Sequence, residues 1–300
     1  MAQLAQQLVE FPLTQGALVT LVPGVRRLVA HNAGPMTGPG TNCYILGQQS
    51  LTVIDPGPVD ERLLDAIQSA GRVAQILVTH THRDHSPAAM ALSARTGAPV
   101  LGALIDDDGH QDKFCQPHQA LEDGLWIDGG ESPVQAVHTP GHVGNHYCFW
   151  HPESGLMFTG DHVMQGATVV IIPPSGDMGA YIRSVQKLKA FPVRYLAPGH
   201  GHLMADVNNY LDRLVTHRLA RESKVIDALA ACPAPATLEQ LTPMAYDDVD
   251  ESLYPVAAFS LWAHLRKLQE DQRVEEYCEG HWLYDKARWS LVTQDKDSPT

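Results

Sequence analysis

The chain has 300 residues, of which 44% are hydrophobic and 18% charged, and its net charge is −13. This composition is typical of a globular protein with a sizeable core. No apolar stretch approaches the ~20 residues that a bilayer-spanning helix needs. The start of the chain, MAQLAQQLVEFPLTQG, has no basic region followed by an apolar run, so we expect a cytoplasmic protein without membrane contact. The acidic balance argues against non-specific binding of nucleic acid.

Short strands alternate with helices through the first two thirds of the chain. In chain order we predict strands at 43–47 and 51–55, a helix at 56–71, a strand at 74–80, and a helix with Ser86 as N-cap and Gly97 just past its end. Strands are predicted next at 98–103, 134–139, 146–151, 155–160 and 168–172. A helix from Met178 to Phe191, a strand at 193–198 and a longer helix from Asp206 into the 220s complete this part. This mixture of hairpin-like and βα units predicts sheet layers flanked by helices, not a purely parallel sheet.

The last part of the chain reads as a separate small unit. Pro233 and Pro235 break the long helix, and residues 255–271 then repeat apolar side chains at helical spacing. Two strand-like runs follow within residues 273–285, on either side of Gly280. Helices followed by a hairpin predict a winged-helix-like module. Its excess of acidic residues argues against a DNA-reading role, so we favour packing over the active-site mouth or a subunit contact.

Cysteine and histidine are used very differently in this sequence. The cysteines at 43, 115, 148, 232 and 278 are scattered and form no CxxC pair, which favours neither a disulfide framework nor a thiolate zinc site. The 16 histidines are the unusual feature, because histidine is the commonest protein ligand for transition metals.

Four potential ligands fall within six positions at the end of the predicted strand 74–80. They are His80, His82, Asp84 and His85. In extended backbone, residues two apart point the same way, so His80 and His82 can converge on one ion. The turn into the next helix directs Asp84 and His85 toward a neighbouring position. The HxHxDH run on a strand-to-helix loop therefore predicts a metal site.

Three further fragments join this run, each after a predicted strand. His142 lies in TPGHVGNH, Asp161 in FTGDH and His200 in APGHG, and each is preceded by a glycine that permits a close backbone approach. Because strand ends meet along one edge of a sheet, we expect all seven side chains to lie together.

These motifs resemble those of the metallo-beta-lactamase superfamily, over roughly residues 20–205. The resemblance implies a four-layer αββα sandwich of the α/β (α+β) class. It implies two divalent metal ions, the first held by His80, His82 and His142 and the second by Asp84, His85 and His200, with Asp161 bridging them. Zinc is the expected metal, with manganese and iron as alternatives, because imidazole and carboxylate ligands suit all three.

The chemistry expected from such a site is hydrolysis. Two ions roughly 3.5–4 Å apart hold a bridging water whose pKa falls toward neutrality, and they polarise the scissile carbonyl or phosphoryl group. Asp84 is the candidate catalytic residue that orients this nucleophile and carries a proton, with pure ligation as the alternative. The expected substrate is a small molecule with an ester-type bond: a thioester, ester, lactone or phosphodiester.

Three other residues are candidates for a supporting role. His146 and His162 follow two of the ligands and are predicted to hydrogen-bond to ligands or touch substrate, and Asp55 in IDPG is predicted to support the ligand loops. An ordinary buried histidine or turn residue is the alternative for each. The remaining histidines are interpreted as surface or core residues: His31, His110, His118, His138, His151, His202, His217, His264 and His281.

The segments GPMTGPGTNCYILG and TPGHVGNHYCFW, together with the C-terminal module, look like the beta-lactamase-like protein 2 branch of the superfamily. This resemblance implies a catalytic domain at 1–218 and a winged-helix-like domain at 219–300. Because that branch includes a single-strand-selective endoribonuclease, RNA is the alternative substrate. A mononuclear iron persulfide dioxygenase, a metal-sensing winged-helix regulator and a homo-oligomer are further alternatives.

Overall fold

Two β-sheets form the centre of the first two thirds of the chain. The computed structural model describes residues 13–166, 168–277 and 286–292. The first sheet follows chain order: β1 (Leu18–Val22), β2 (Val25–Val29), β3 (Asn42–Leu46), β4 (Ser50–Ile54), β5 (Arg72–Leu77), β6 (Val100–Gly102) and β7 (Gln119–Ala120). The second runs β12 (Tyr195–Pro198), β11 (Leu156–Gly160), β10 (Tyr147–His151), β9 (Val134–His138) and β8 (Trp126–Ile127).

The two sheets pack face to face, and helices cover both outer faces. The core between the sheets includes Tyr44 and Leu77 from the first sheet and Phe149 and Phe158 from the second. The outer face of the first sheet packs on α1 (Glu61–Ser69) and α2 (Pro87–Thr96), whereas the second packs on α3 (Met178–Leu188) and α4 (Val207–Ala231). The predicted four-layer αββα sandwich is confirmed.

Helix starts follow local capping chemistry. Helix α1 begins at Glu61, later than predicted, because the Asp60 side chain accepts a hydrogen bond from the backbone N–H of Arg62 and fixes the N-cap there. Helix α2 has Ser86 at its N-cap position and left-handed Gly97 just past its end, as predicted. The Ser86 hydroxyl makes no capping bond and donates instead to Asp112.

The predicted strand at 168–172 is wrong, since residues 168–172 form no regular secondary structure. Two of their backbone carbonyls accept hydrogen bonds from side chains: Val169 O accepts from Arg218, and Val170 O accepts from His142. The apolar run that suggested a strand has another cause. Val169 and Ile171 are buried in the core beside α3 and α4, while Val170 and Ile172 are only partly buried.

The C-terminal unit has the order expected of a winged helix. After α4 come β13 (Ala236–Thr237), α5 (Leu238–Ala245), a short 3-10 turn (Glu251–Leu253), α6 (Tyr254–Glu270), β14 (Val274–Tyr277) and β15 (Arg288–Leu291), and the three strands pair in the order β13-β15-β14. The second strand-like run that the sequence predicts, after Gly280, lies outside the described residues, as does His281.

Helix α6 joins this unit to the sandwich. Its Leu261, Leu265 and Leu268 belong to the C-terminal core, whereas Ala263 belongs to the core beside α3 and α4. A helix that is buried on two sides has little surface left for a DNA groove, which agrees with the acidic character of this unit. Helix α4 runs continuously through position 218, so the division of the chain at 218/219 stays a prediction. Among the described residues, no helix is long and apolar enough to span a bilayer.

Candidate metal centre

The seven predicted ligands come together where strands of the two sheets end. They follow β5, β9, β11 and β12, and their donor atoms form two adjacent groups. The first, here called the imidazole group, consists of His80, His82 and His142. The second, here called the carboxylate group, consists of Asp84, His85, Asp161 and His200. Assignment of these side chains as metal ligands remains a prediction, although all of them occupy one site.

In the imidazole group, three ring nitrogens face one another. His82 Nδ1 lies 3.0 Å from His80 Nε2 and 3.0 Å from His142 Nε2. Nitrogen ligands of a tetrahedral zinc ion would be separated by about 3.4 Å. The spacing therefore suits a common ion, which would enter with only small movements of the rings.

The other ring nitrogen of each histidine fixes which atom is free to bind. His142 Nδ1 donates to Val170 O at 2.7 Å, which leaves the Nε2 lone pair of the neutral ring facing the site. The Thr79 hydroxyl donates to Asp55, so it accepts from His80 Nδ1, and His80 also presents a lone pair at Nε2. Two lone pairs thus point at His82 Nδ1, an arrangement that a cation would satisfy and that a single proton would not.

The carboxylate group is arranged around His85 and His200. Asp161 Oδ1 lies 3.3 Å from His85 Nε2 and 3.4 Å from His200 Nε2, and Asp84 Oδ2 lies 3.1 Å from His200 Nε2. The second oxygen of Asp161, Oδ2, points instead toward the imidazole group, 4.0 Å from His142 Nε2. Its two carboxylate oxygens therefore address different groups, as the bridging role expected of Asp161 requires.

Protonation differs between the two groups. Burial lowers the pKa of His82 to about 3, and the neighbouring His142 adds to the effect, while burial also lowers the pKa of His80 well below its usual value. Burial has the same tendency at His200, but the negative charges of Asp161 and Asp84 outweigh it and raise the pKa to about 9. The imidazole group is thus neutral at pH 7, and the carboxylate group attracts positive charge.

Buried polar atoms without hydrogen bonds point into this space. His85 Nε2, His200 Nε2 and Asp161 Oδ1 are buried and have no hydrogen-bond partner among the residues that the structure describes. Because an unsatisfied buried polar atom is costly, such atoms in one cluster call for a ligand. Imidazole nitrogens and carboxylate oxygens suit zinc, manganese and iron, so the residues fit two divalent ions without distinguishing among these metals.

Glycines allow the ligand loops to approach this closely. A Cβ atom on Gly199 would lie 2.6 Å from His85 Cε1 and 2.7 Å from Asp161 Oδ1. On Gly160, which has a φ of +44°, a Cβ atom would lie 2.6 Å from Thr79 Oγ1. A larger residue at Gly199 would push two ligands apart, and one at Gly160 would displace Thr79, whose hydroxyl contacts His80.

The three predicted supporting residues lie around the ligands. Asp55 accepts hydrogen bonds from His85 Nδ1 at 2.9 Å and from the backbone N–H of Thr79 at 2.7 Å, so it orients one ligand and holds the loop that carries four. The His146 ring is 5.1 Å from that of His80, and His162 packs on Tyr181. Both histidines are fully buried behind the ligands and are not exposed to substrate.

A cleft of about 440 Å³ opens onto both groups. Its walls include His82, Asp84, His142 and Asp161 from the predicted ligand set. The other lining residues were not predicted from the sequence: Pro35, Met36, Arg83, Asp108, His110, Met164, Thr168, Val169, Val170 and Ile172. His110, interpreted above as an ordinary surface or core histidine, has its ring centroid 6.3 Å from that of His82. Only its position in a loop brings it there, and no local motif marks it.

Comparison with known proteins places this fold and site among relatives. A "Beta-lactamase-like protein 2 homolog" of Caenorhabditis elegans is 27% identical over 85% of this chain and 87% of its own length. An "Atrochrysone carboxyl ACP thioesterase" of Aspergillus fumigatus is 31% identical over 70% of this chain and 66% of its own length. The crystal structure of a beta-lactamase domain protein from Burkholderia ambifaria has a TM-score of 0.77 at 17% identity, covering 97% of this chain and 99% of that one, which shows a shared fold.

Two family profiles account for the two parts of the chain. The Beta-lactamase associated winged helix domain matches residues 237–289, in agreement with the C-terminal unit described above. The profile of the Metallo-beta-lactamase superfamily matches residues 36–200, which is more than half of the chain and contains all seven predicted ligands. The chain therefore belongs to the metallo-beta-lactamase superfamily.

Proposed function

We propose that this protein is a metal-dependent hydrolase that cleaves an ester-type bond in a small molecule, with two divalent ions, zinc in the first instance, held by the imidazole and carboxylate groups. One observation carries the proposal: in each of two adjacent groups, nitrogen lone pairs or carboxylate oxygens face one another closely enough to share an ion. Such a site, when two ions are bound, supplies a water that is acidic enough to attack at neutral pH and a Lewis acid for the scissile carbonyl.

Asp84 is the residue that we assign to proton handling. Its side chain is 27% exposed and lines the cleft, whereas Asp161 is 12% exposed. Burial alone would raise the pKa of Asp84, but the neighbouring His85 and His200 outweigh it and lower the pKa, so Asp84 is an anion at pH 7. As a carboxylate it accepts the proton of the attacking water and returns a proton to the leaving oxygen or sulfur as the acyl bond breaks.

The walls of the cleft favour an acyl compound over RNA. Met36, Val170 and Ile172 offer an apolar surface beside the metal centre, and Arg83 is the only lysine or arginine among the residues that line the cleft. RNA requires many phosphate contacts, whereas the whole chain has a net charge of −13. The Aspergillus relative named as a thioesterase supports a thioester as the first substrate to test.

The proposal is tested with the full chain after reconstitution with zinc, manganese or iron. Bound metal is counted by elemental analysis, and turnover is measured on acyl thioesters, lactones, phosphodiesters and single-stranded RNA. We expect two equivalents of metal and hydrolysis of thioesters. Two bound metals without turnover of any ester would contradict the proposal, and turnover confined to RNA would replace the proposed substrate class.

A further inference from the structure

A second cavity lies beside the cleft, on the surface of helix α4. This side cavity has a volume of about 360 Å³ and is lined by Gly166, Thr168, Tyr210, Arg213, Leu214 and His217. Thr168 also lines the cleft, so the two spaces meet at this residue. Volumes of about 300–1,000 Å³ are typical of small-molecule sites. A ligand that fills the cleft could therefore extend past Thr168 into the side cavity.

Two hydrogen bonds connect the wall between the cleft and the side cavity to helix α4. The Tyr210 hydroxyl donates to Met164 O at 2.7 Å, and Arg218 Nη2 donates to Val169 O at 2.6 Å. Met164 and Val169 themselves line the cleft. Helix α4 thus forms the floor of the side cavity and also holds the cleft wall in position. The cleft and the side cavity therefore keep a fixed position relative to each other.

The side cavity is positively charged in an otherwise acidic protein. Arg213 lies over the Tyr210 ring, with its guanidinium carbon 5.6 Å from the ring centroid, and within the described residues no carboxylate lies within ion-pair distance of it. One turn further along α4, His217 faces the same cavity. Burial lowers the pKa of His217, and the nearby Arg218 and Arg221 lower it further, while Asp248 acts in the opposite direction.

We propose that the side cavity binds an anionic, phosphate-bearing part of the substrate's leaving group, with Arg213 as the principal contact and Thr168 and His217 as hydrogen-bonding groups. The acyl part would then occupy the apolar side of the cleft, and the scissile bond would lie at the metal centre. This inference rests on the proposed hydrolysis of an ester-type bond and specifies the chemistry of the group that departs.

The test compares two thioesters with the same acyl group, one on coenzyme A, which carries phosphates, and one on N-acetylcysteamine, which is uncharged. For Arg213→Gln we expect kcat/KM for the coenzyme A thioester to fall about tenfold relative to that for the N-acetylcysteamine thioester, mainly through KM. The matched control is Arg62→Gln, which removes the same charge from an exposed side chain of α1 and should leave the ratio of the two kcat/KM values unchanged.

A binding measurement separates this inference from the proposed function. Desulfo-coenzyme A, which has neither a thiol nor a thioester, is titrated into the metal-free protein by calorimetry. We expect Arg213→Gln to weaken binding about tenfold and added salt to weaken binding to the unmodified protein.

Binding that depends on Arg213, without turnover of either thioester, would support the side cavity and refute the hydrolase. Turnover of both thioesters with no effect of Arg213→Gln on ratio or binding would refute the side cavity alone, and an effect of the variant on RNA cleavage only would overturn the small-molecule assignment.

Discussion

The metal centre and the C-terminal core both bury a carboxylate, yet they balance its charge in different ways. In the C-terminal unit, Glu222 lies 3.0 Å from the ammonium of Lys267, with Arg273 also within 3.9 Å. At the metal centre, the ion-pair partners of Asp161 among the described residues are imidazole rings, and a second carboxylate, Asp84, lies in the same group. The chain itself supplies the compensating cation in the first case. In the second the partners are imidazole rings such as that of His200, which balance the charge when protonated and can exchange the proton for a metal ion.

This difference predicts that the two regions respond separately to metal and to mutation. The C-terminal core is held by apolar packing around the fully buried Trp289 and should be indifferent to metal. The metal centre should gain stability from any ion that binds the folded state alone. Variants in the metal centre and in the C-terminal core test whether the two regions are independent.

The largest effect is expected for Asp161→Ala. Loss of the carboxylate whose oxygens face both donor groups should remove about one equivalent of metal and lower kcat/KM about 1,000-fold, since Lewis-acid stabilisation is worth several kcal/mol. Elemental analysis and thioester turnover provide the measurements. Asp227→Ala, which changes an exposed carboxylate of α4, is the control and should retain both. Full metal content in Asp161→Ala would contradict the assigned bridging role.

A change in the C-terminal core should have the opposite signature. Leu265 is fully buried there, so Leu265→Ala should lower the free energy of unfolding by about 3 kcal/mol. Metal content at 25 °C should remain at the level of the unmodified protein. Leu219→Ala, at a site on α4 where the leucine is 44% exposed, is the control and should change stability by about 0.5 kcal/mol or less. Loss of bound metal from Leu265→Ala would mean that the two regions are not independent.

An intermediate effect is expected for Asp55, which hydrogen-bonds to the predicted ligand His85 but is not itself a predicted ligand. Asp55→Asn removes the carboxylate that orients His85, and we expect metal affinity to fall about 10–100-fold. Competition with a chelator measures this affinity. Asp65→Asn, which changes an exposed residue of α1, should leave it unaltered. Unchanged affinity in Asp55→Asn would show that the ring of His85 is held by packing alone.

The sequence predicts these two regions unequally, for physical reasons. All seven predicted ligands could be named because metal ligation requires specific side chains at strand ends, and HxHxDH places four of them in one loop. The strand predicted at 168–172 was wrong because a short apolar run suits a partly buried loop as well as a strand. Val170 bonds to His142 through its backbone carbonyl, and no side-chain pattern reports such a bond.

The cleft beyond the ligands could not be predicted, for a related reason. Met36, His110 and Thr168 come from loops that are far apart in sequence, and only the completed fold brings them to one wall. The sequence pattern of α4 does not distinguish Arg213 from an ordinary solvent-exposed arginine. Its role becomes visible only when the neighbouring loop is seen to form a cavity with it. Ligand identity is thus encoded locally, whereas substrate shape is encoded in tertiary structure.

The smallest effect concerns pH and is expected in the C-terminal unit. Burial lowers the pKa of His264 to about 4, with Arg218 and Lys267 opposing the charged form and Glu222 favouring it. Between that value and the unfolded value of about 6.5, the unfolded chain binds more protons than the folded one. The free energy of unfolding should therefore fall by about 1–2 kcal/mol as the pH falls from 7 to 5.

The pKa of Glu222 is itself lowered, despite its burial, by His264 and Lys267, so Glu222 stays ionised in this window. His264→Asn has no titrating group at this position, and Lys267 still lies 3.0 Å from Glu222, so the difference between the chemical-denaturation curves of the two proteins at pH 7 and pH 5 reports mainly on His264. Equal losses of stability in the two proteins would show that this histidine is not the source of the pH dependence.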